Sequence, residues 1–497
     1  MKKISLLIVS FVTAISVQAQ DYTDALRYSE SMVEGDARYM AMGGALSSLG
    51  GNLSAMSVNP AGSAVYKKSV LEFSPTYLYT KSENYYLGYD RSFVSSIAIP
   101  SWGFVLYKAL KQNDVFASGL SFGFSMNAQN HYDQNLTFSG INTSSSLTDD
   151  FVRLANTVGD PNNTGSTDNM DGSYERLAWE TYLIDFDTVN NAYFSDFINQ
   201  DGTSSYGEYQ NIEYNRDGQK REYLFNFGVD FSEYVYFGAD LSIINLYYTE
   251  NKIFTEKDRA QTKPFLNNYT YSTQLDVNGN GVGGKFGVIL RPIEYVRIGL
   301  AAHTPVMYSF SEDYETQLGA MYDQDINGTG TTSSRDSFTA SYDYKIAQPA
   351  KFIGSLGFVY KNVLNVGVDL ETMNYSQCSL QSDLVSMSDQ NSQIESELTN
   401  VNNLKCGGEF RYGPFTFRAG YAMYGNPYKN VTGDNFYRND ISGGVGLATN
   451  AMYCDLSWLR AKSKQYTDLY SNFDGDLLQS HSTIKRDYVT FTVGLKF

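Results

Sequence analysis

The last nine residues of the chain, 489–497, read VTFTVGLKF, and apolar and polar side chains alternate along them. Because successive side chains of a β-strand point to opposite faces, Val489, Phe491 and Val493 would share one face with the terminal Phe497. The other face would carry threonine, glycine and lysine, which is typical of a strand with lipid on one side and water on the other. The same alternation recurs in segments 120–127, 223–231, 364–371, 415–424 and 440–447.

The composition favours strands and excludes two other classes of protein. The 497 residues include 41 Tyr, 30 Phe and 42 Gly but only three Trp, a mixture that suits many strands. After residue 17 no stretch approaches the ~20 apolar residues that a membrane-spanning helix needs. The net charge of −17 is a poor fit to nucleic acid, whose phosphates require a basic face. Three cysteines are too few for a disulfide framework.

Residues 1–19 have the layout of a secretory signal peptide. Lys2 and Lys3 precede an apolar run over 4–17, and Val17-Gln18-Ala19 forms a small-residue cleavage site. The run is too short for a stop-transfer helix, and the alternative is a buried N-terminal helix. No cysteine follows the run, so a lipid anchor is not expected. We therefore expect the mature protein outside the cytoplasm.

Alternation alone does not separate a membrane barrel from a soluble β-sandwich. The second face of the strands is rich in Gly, Ser, Asn and Asp, which suits a wet lumen. The connections are of two kinds, tight turns and long polar loops, as in outer-membrane barrels. A closed barrel also pairs every backbone group, as lipid requires. We predict an all-β, 14-stranded antiparallel transmembrane β-barrel over residues 67–497, provided that 93–110 and 337–361 are single strands despite Pro100 and Pro349.

Residues 20–66 do not alternate and are predicted to form a plug. They are expected to contain two short helices, over 22–31 and 37–49, followed by a Gly/Ser/Asn stretch. The alternative is a disordered leader. The segment contains many apolar residues for a solvated tail, including Met32, Met40 and Leu46, and folding into the lumen would bury them.

Short motifs recur in order from this segment onward. Residues 38–45, RYMAMGGA, are followed by Asn59, Pro60, Ala61 and Gly62 and then by a strand. These motifs resemble the FadL/TodX family of outer-membrane transport proteins for hydrophobic compounds, and the resemblance extends over nearly the whole mature chain. It implies a 14-stranded barrel whose lumen is closed by this N-terminal hatch. It also implies passive uptake of long-chain fatty acids or aromatic compounds. Ligand would be caught in an outer apolar groove, pass inward as the hatch shifts, and leave sideways through a gap in the wall.

Residues 130–219 are predicted to form a long extracellular loop, which is either functional or disordered. Its apolar residues have helical spacing, so short amphipathic helices could cover the barrel mouth. They would either form an apolar capture site for ligand or pack only on one another as a cap. The residues concerned are Phe151, Leu154, Leu177, Tyr182, Phe194, Phe197 and Ile198.

Charged residues at inward-facing positions form the other candidate group. They could tether the plug or exclude ions, or they could be the paired charges of a hydrated lumen, since buried charges need partners in any case. The residues are Asp369, Glu371, Glu409, Arg411, Arg418 and Asp455.

Nothing in the chain indicates catalysis, a cofactor or a metal site. The three histidines are far apart and none has zinc spacing, and no serine stands out as a nucleophile. We predict a passive channel for hydrophobic molecules in the outer membrane of a Gram-negative bacterium. Its partners would be an apolar small molecule, outer-membrane lipid and lipopolysaccharide, and, as the resemblance implies, the barrel-assembly machinery through Phe497. The alternative is a barrel of the same fold that serves secretion or binds a partner without transport.

Overall fold

The computed structural model describes residues 21–110, 117–158, 169–197, 206–259, 266–323, 333–361, 363–429 and 436–497. The predicted signal peptide therefore lies outside the described residues. The strands are β1 (Val70–Tyr85), β2 (Tyr89–Ala109), β3 (Gly119–His131), β4 (Gln134–Asn142), β5 (Asp185–Asp187), β6 (Ala192–Phe194), β7 (Glu208–Phe231), β8 (Val235–Lys257), β9 (Leu266–Ile293), β10 (Val296–His303), β11 (Val306–Tyr322), β12 (Ser333–Gln348), β13 (Lys351–Tyr360), β14 (Leu364–Asn374), β15 (Ser379–Gln381), β16 (Asn400–Tyr412), β17 (Phe415–Gly425), β18 (Phe436–Ala448), β19 (Met452–Ser471) and β20 (Leu477–Lys496).

In the ranges given above, five α-helices accompany the strands: α1 (Tyr22–Ser29), α2 (Ala37–Ala41), α3 (Leu147–Val158), α4 (Glu175–Glu180) and α5 (Ser388–Glu397). Short 3-10 helices lie at Ser54–Ser57, Pro60–Val65 and Tyr375–Gln377. Within the described part of the chain, no helix is both long and apolar enough to cross a membrane.

The strands close into a 14-stranded antiparallel barrel, as predicted. The two ends of the chain complete the wall, because β1 pairs with β20 from Val70 opposite Lys496 to Tyr85 opposite His481. Three wall strands consist of two segments each, namely β3 with β4, β10 with β11, and β12 with β13. The terminal Phe497 continues this closure, since its backbone exchanges hydrogen bonds with Ser69.

Prolines interrupt the wall where the sequence places them. Pro349 separates β12 from β13, and Pro305 separates β11 from β10, because proline cannot donate to the ladder. The predicted single strand 337–361 is therefore two segments of one wall strand. Pro100 stays inside β2, where two residues of β2 lie opposite Pro75 alone and form a bulge.

Apolar side chains cover the outside of the barrel. In β14, Leu364, Val366, Val368 and Leu370 are exposed, whereas the alternating Asp369 is buried. The same register gives an apolar exterior around the wall. Its larger members include Ile97, Trp102, Phe122, Phe225, Leu241, Phe286, Leu300, Phe352, Phe417, Val445 and Phe491.

The segment between the wall strands is shorter than the predicted loop 130–219. β4 extends the wall to Asn142, and β7 begins at Glu208, so only residues 143–207 lie between wall strands. The alternating burial of β7 begins at its first residue, well before the strand start at 220 that the sequence suggested. The outward side chains of that part of β7 are strongly polar, so the sequence shows no apolar–polar alternation there.

Residues 21–66, hereafter the plug, lie inside the barrel. The Asp21 side chain caps α1 by accepting hydrogen bonds from the Thr23 and Asp24 backbone. The prediction that the second helix reaches residue 49 is wrong, because α2 ends at Ala41. Gly43 and Gly44 follow with φ of +61° and +80°, a backbone conformation that ends a helix and that glycine adopts without steric cost.

Inward-facing glycines of the wall let the plug backbone approach the strands. A Cβ atom on Gly407 would lie against the Met42 carbonyl, and one on Gly367 against the Ala45 carbonyl, both closer than real Cβ contacts. The glycine-rich inner face was interpreted as a wet lumen, but at this level it is a packing surface for the plug. Among the described residues eight wall glycines are in this position: Gly228, Gly238, Gly287, Gly357, Gly367, Gly407, Gly420 and Gly444.

Candidate functional site

Asn59 joins two parts of the plug to the wall. Its side-chain oxygen accepts a hydrogen bond from the Ala61 backbone at 3.1 Å, which caps the 3-10 helix that begins at Pro60. Its Nδ2 donates to the Ser47 carbonyl at 3.0 Å and lies 3.4 Å from the Val288 carbonyl of β9. All polar atoms of this buried amide are thus engaged with the backbone.

The rest of the predicted hatch motif lies against β7–β9. The Pro60 carbonyl accepts from Asn226 Nδ2 at 3.0 Å, and Ala61 is buried in a small apolar cluster with wall residues. The Gly62 carbonyl accepts from the Gly51 backbone at 2.9 Å. The motif therefore folds the plug back on itself and fixes it to one side of the barrel.

Basic side chains of the wall donate to backbone carbonyls of the plug. The plug has little regular secondary structure, so its buried carbonyls need donors from elsewhere. Because a carbonyl only accepts, His303 must carry its proton on Nε2 in this contact. The four contacts are Lys220 with Tyr28 (2.8 Å), Lys285 with Ser57 (2.7 Å), His303 with Val58 (2.9 Å) and Arg297 with Leu49.

One group of the predicted charges forms a buried network with the plug. Glu409 accepts from Arg38 of the plug at 2.9 Å and from Arg418 at 2.6 Å, and Arg418 also binds Asp455 at 2.6 Å. Arg411 does not belong to this core, because its side chain is largely exposed and lies 3.8 Å from Glu409. The network joins β16, β17 and β19 to α2.

A second group lies around Glu371. Its carboxylate contacts Lys405 at 3.2 Å and Lys351 at 3.5 Å. Nearby, Asp369 accepts a hydrogen bond from the backbone of Ser47 in the plug at 3.0 Å. Four of the six predicted charges, Glu371, Glu409, Arg418 and Asp455, are thus in ion pairs away from solvent. Asp369 is buried and bonds to the plug backbone, and Glu409 also bonds directly to the plug.

The wall contains a seam between β2 and β3. The β2–β3 ladder runs from Ala109 opposite Gly119 to Ser101 opposite Asn127 and then ends, although β2 continues to Tyr89. In the described residues no ladder joins 89–99 of β2 to β3 or β4. Side chains bridge this stretch instead, for example Ser92 Oγ with Thr137 Oγ1 at 3.1 Å.

The plug meets the seam from the inside. The Met32 backbone donates to the carbonyl of Gln129 at 2.7 Å, at the bulge where β3 departs from its regular pairing with β7. Glu34 contacts His131 at the end of β3 and accepts from Tyr488 at 3.1 Å. Residues 32–34 therefore lie directly behind the unpaired edge of β3.

The segment 143–207 is hereafter called the cap, and its described residues, 143–158, 169–197, 206 and 207, cover the barrel mouth through an apolar core. Phe151 is fully buried, with its ring centroid 4.6 Å from Tyr174 and 5.9 Å from Tyr271 of the wall. Leu177 and Phe197 are buried in the same cluster. Phe151, Leu177 and Phe197, the most deeply buried of the predicted capture residues, are therefore engaged in packing contacts within this core.

The other predicted capture residues differ in their surroundings. Leu154 and Phe194 are half-buried, and Tyr182 is exposed, with a positive φ of 61°. Ile198 lies outside the described residues. In the same cap, burial and the adjacent Asp150 carboxylate raise the pKa of Tyr174 well above its usual value, so its hydroxyl donates to Asp150 at 2.9 Å.

An apolar groove of about 490 Å³ opens on the outside of the wall across β8, β9, β10, β13 and β14. It exists because the small outward residues Ala302 and Gly354 lie between the larger Phe286, Leu300 and Phe352. Since these side chains belong to the apolar exterior, the groove faces the lipid side and not the lumen.

Comparison with known proteins gives fold relatives only. No known family profile matches the chain, and no curated protein matches it in sequence. Among solved structures, a Pseudomonas aeruginosa FadL homologue aligns with a TM-score of 0.57 at 14% identity, over 94% of this chain and 100% of that one. The CymD monoaromatic hydrocarbon channel and the Pseudomonas putida toluene transporter TodX each align at 0.51 and 11% identity, over 94% of this chain and 99% of theirs. The resemblance inferred from the motifs is therefore confirmed at the level of the fold: the chain has the barrel fold of the FadL and TodX structures.

Proposed function

We propose that the protein is a passive channel that admits hydrophobic molecules, such as long-chain fatty acids or apolar aromatic compounds, across the outer membrane of a Gram-negative bacterium. The observation that carries the proposal is the seam beside β2 with plug residues 32–34 behind it. The named channels and transporters among the fold relatives support the same substrate class. No catalysis, cofactor or energy source is involved.

A seam of this kind suits an apolar substrate. Leaving the lumen sideways into lipid avoids exposing apolar surface to water, which costs roughly 25 cal/mol per Å². Opening the seam breaks a few side-chain hydrogen bonds and no backbone ladder, so its cost is small beside that of parting two paired strands. The seam begins where the β2–β3 ladder ends, beside Ile99 and Ile97, which are exposed on the apolar exterior.

The plug controls this path in the proposed mechanism. Residues 32–34 reach the seam through the Met32–Gln129 and Glu34–His131 contacts. Displacing this short stretch would free the unpaired edge of β3, while the Asn59 motif keeps the remainder of the plug in place. Gating therefore needs a local movement and not expulsion of the plug.

A disulfide across the seam tests the proposal. Ser92 and Thr137 have their hydroxyls 3.1 Å apart, so cysteines at both positions can bond without a large backbone shift. The matched control is the pair Thr255 and Thr270, 3.3 Å apart across the intact β8–β9 ladder. Both variants are made after replacing Cys378, Cys406 and Cys454 with alanine.

The measurement is uptake of labelled oleate into vesicles that contain the purified protein. Oxidised Ser92→Cys/Thr137→Cys protein should take up no more oleate than protein-free vesicles, and reduction should restore uptake. The oxidised control should transport as the unmodified protein does. Equal uptake by the oxidised and reduced seam variant would exclude the lateral path.

The alternative, a partner-binding barrel without transport, places the function in the cap. The apolar side chains of the cap are mostly buried in its own core, which favours the channel. Replacing 143–207 with a short linker discriminates between the two, because the alternative expects loss of partner binding while oleate uptake continues.

A further inference from the structure

Three lysines form a row on the outer surface of the barrel where its ends meet. Lys485 of β20 pairs directly with Lys81 of β1 on one side and with Lys462 of β19 on the other. All three are at outward-facing positions at the same level of the wall. On each of these strands the apolar exterior begins four residues closer to the periplasmic end, after one intervening level.

Outward-facing residues that pair across β19, β20 and β1 form successive levels along the barrel axis, and these levels show where the lysine row lies. Below the row, Trp458, Val489 and Tyr77 form an exposed apolar level across the same three strands. The level between contains Arg460, Asp487 and Tyr79, and on the next strand the exposed Phe93 lies directly opposite Lys81 at the level of the row. The row therefore lies beside the upper edge of the apolar exterior, on the side of the cap.

Like charges at directly opposed positions are unfavourable, since their Cβ atoms are only about 4.5–5.5 Å apart. Glu83 offsets part of this repulsion, because it contacts Lys81 at 2.6 Å and Lys485 at 2.8 Å. Among the described residues no ion pair engages Lys462, which is exposed. The row thus has more positive charge than the carboxylates around it compensate.

Neighbouring cations enlarge the row into what we call the basic patch. Glu83 and Asp487 lie among these cations, and Asp487 is already held by Arg460 at 2.8 Å. The chain as a whole has a net charge of −17, so a cationic surface is unusual for it. The basic patch consists of Lys81, Arg91, Arg460, Lys462 and Lys485.

On the opposite side of the barrel, the described outward positions of β9 and β11 carry no cation, and the neighbouring Lys345 of β12 lies 3.8 Å from Asp383. The outward residues of β9 and β11 above the apolar exterior are neutral or acidic, for example Asn280, Ser309, Ser311 and Asp313. If this part of the wall were only a solvated rim, cations would be distributed evenly around the barrel. The cations are instead concentrated over four neighbouring strands.

We infer that the basic patch binds the phosphate-bearing headgroup of an outer-leaflet glycolipid, with the acyl chains of that lipid lying on Tyr77, Val489 and Trp458. Lysine and arginine next to a membrane surface attract anionic headgroups, and Trp at this depth is typical of the lipid–water interface. The inference rests on the outer-membrane location given under the proposed function, but not on transport.

The test compares three triple variants of the full-length mature protein in detergent. Lys81→Gln/Lys462→Gln/Lys485→Gln removes the row, and the corresponding triple Arg variant keeps its charge. The matched control, Lys68→Gln/Lys108→Gln/Lys361→Gln, removes three exposed lysines near the opposite end of the barrel. The probes are diphosphorylated lipid A, the same lipid without phosphates, and inorganic phosphate.

Lipid A should bind the glutamine row variant at least about tenfold more weakly than the unmodified protein, since each lysine near a membrane surface is worth about 1 kcal/mol. The arginine variant and the control should bind as the unmodified protein does, and raising the salt should weaken binding. Lipid lacking phosphates should not distinguish the variants.

Three results would overturn the inference: equal lipid A binding by the glutamine row variant and the control, equal binding of both lipids to the unmodified protein, or full displacement of lipid A by inorganic phosphate at equal concentration. Oleate uptake should be unchanged in the row variant. A protein that binds lipid A in this way but transports no oleate would refute the proposed channel and leave this inference intact.

Discussion

The plug and the cap are the two parts of the molecule that do not belong to the barrel wall, and they are held in different ways. The plug packs some apolar side chains against the wall, but polar contacts hold it as well: wall glycines admit its backbone, Lys285 and His303 donate to its carbonyls, and Arg38 pairs with Glu409. The cap is attached through aromatic and aliphatic side chains packed on one another and on the wall.

This difference has a consequence for movement. Hydrogen bonds are directional and few, and residues 32–34 of the plug are held by four polar contacts: Met32 with Gln129, Val33 with Tyr424, and Glu34 with His131 and Tyr488. A short stretch can therefore be released by breaking a small number of discrete contacts. An apolar core such as that around Phe151 gives no such discrete steps, because its many small contacts are lost together. We therefore expect the plug to be the part that switches and the cap to be the part that stays.

Removing the charge of Glu409 should break the plug attachment most severely. Glu409→Gln leaves Arg38 and Arg418 buried without their shared carboxylate, which costs about 3–5 kcal/mol in comparable buried pairs. Thermal unfolding in detergent should show a clear decrease in stability. Glu315→Gln, at an exposed position of β11, is the control and should change little. An unaltered melting curve for Glu409→Gln would mean that the network contributes nothing to holding the plug.

Truncating the centre of the cap core should have the next largest effect, and it should be local. Phe151→Ala removes a fully buried ring and should destabilise the cap by about 3 kcal/mol. Tyr182→Ala, in the same segment but exposed, should stay within about 0.5 kcal/mol. Hydrogen exchange of α3 and α4 measures both. Should Phe151→Ala leave exchange in the cap unchanged, the cap would not depend on this core.

Adding one methyl group to a wall glycine should show how much close packing, as distinct from ion pairing, contributes to holding the plug. Gly407→Ala places a Cβ against the Met42 carbonyl, and such overpacking costs about 1–3 kcal/mol. The adjacent Gly408→Ala is the matched control, since nothing lies within 4 Å of its added Cβ. Proteolysis of the plug in the purified barrel reports its displacement. Equal cleavage of the two variants would contradict the close packing of plug on glycine.

The smallest effect expected is that of Asn59. Asn59→Ala removes the cap of the 3-10 helix and should cost about 1 kcal/mol. Asn59→Asp keeps the acceptor for Ala61 but loses the donor to Ser47, so it separates the two roles. The same proteolysis assay measures both. If the Asp and Ala variants behave identically, the amide donor and not the cap is the contribution that matters.

Much of the fold follows from local patterns in the chain. The alternation in 364–371 and 489–497 assigns both faces correctly, and the count of fourteen strands holds despite Pro349. The end of α2 at Ala41 was predicted wrongly, although Gly43 and Gly44 are strong stop signals. The polar first half of β7 was not recognised as a strand, since its outward face is as hydrophilic as its inward one and no alternation is visible.

The candidate sites were only partly predictable. The charges Asp369, Glu371, Glu409, Arg418 and Asp455 were found from their inward positions, but their grouping into two networks was not. The sequence analysis also missed the roles of Lys220 and His303 in holding the plug. The one available signal was their inward position, His303 after Ala301-Ala302 and Lys220 early in β7, next to a plug whose carbonyls lack regular partners.

The chain by itself determined what depends on neighbouring residues: the two-residue period of the strands, the apolar exterior, the turns and the motif at Asn59. Only the tertiary structure decided which residues meet across the barrel. The seam depends on where the β2–β3 ladder stops, and the lysine row depends on the registers that bring Lys81, Lys462 and Lys485 to one level. Pairing between strands that are distant in the chain depends on closure of the whole sheet, and no local pattern encodes it.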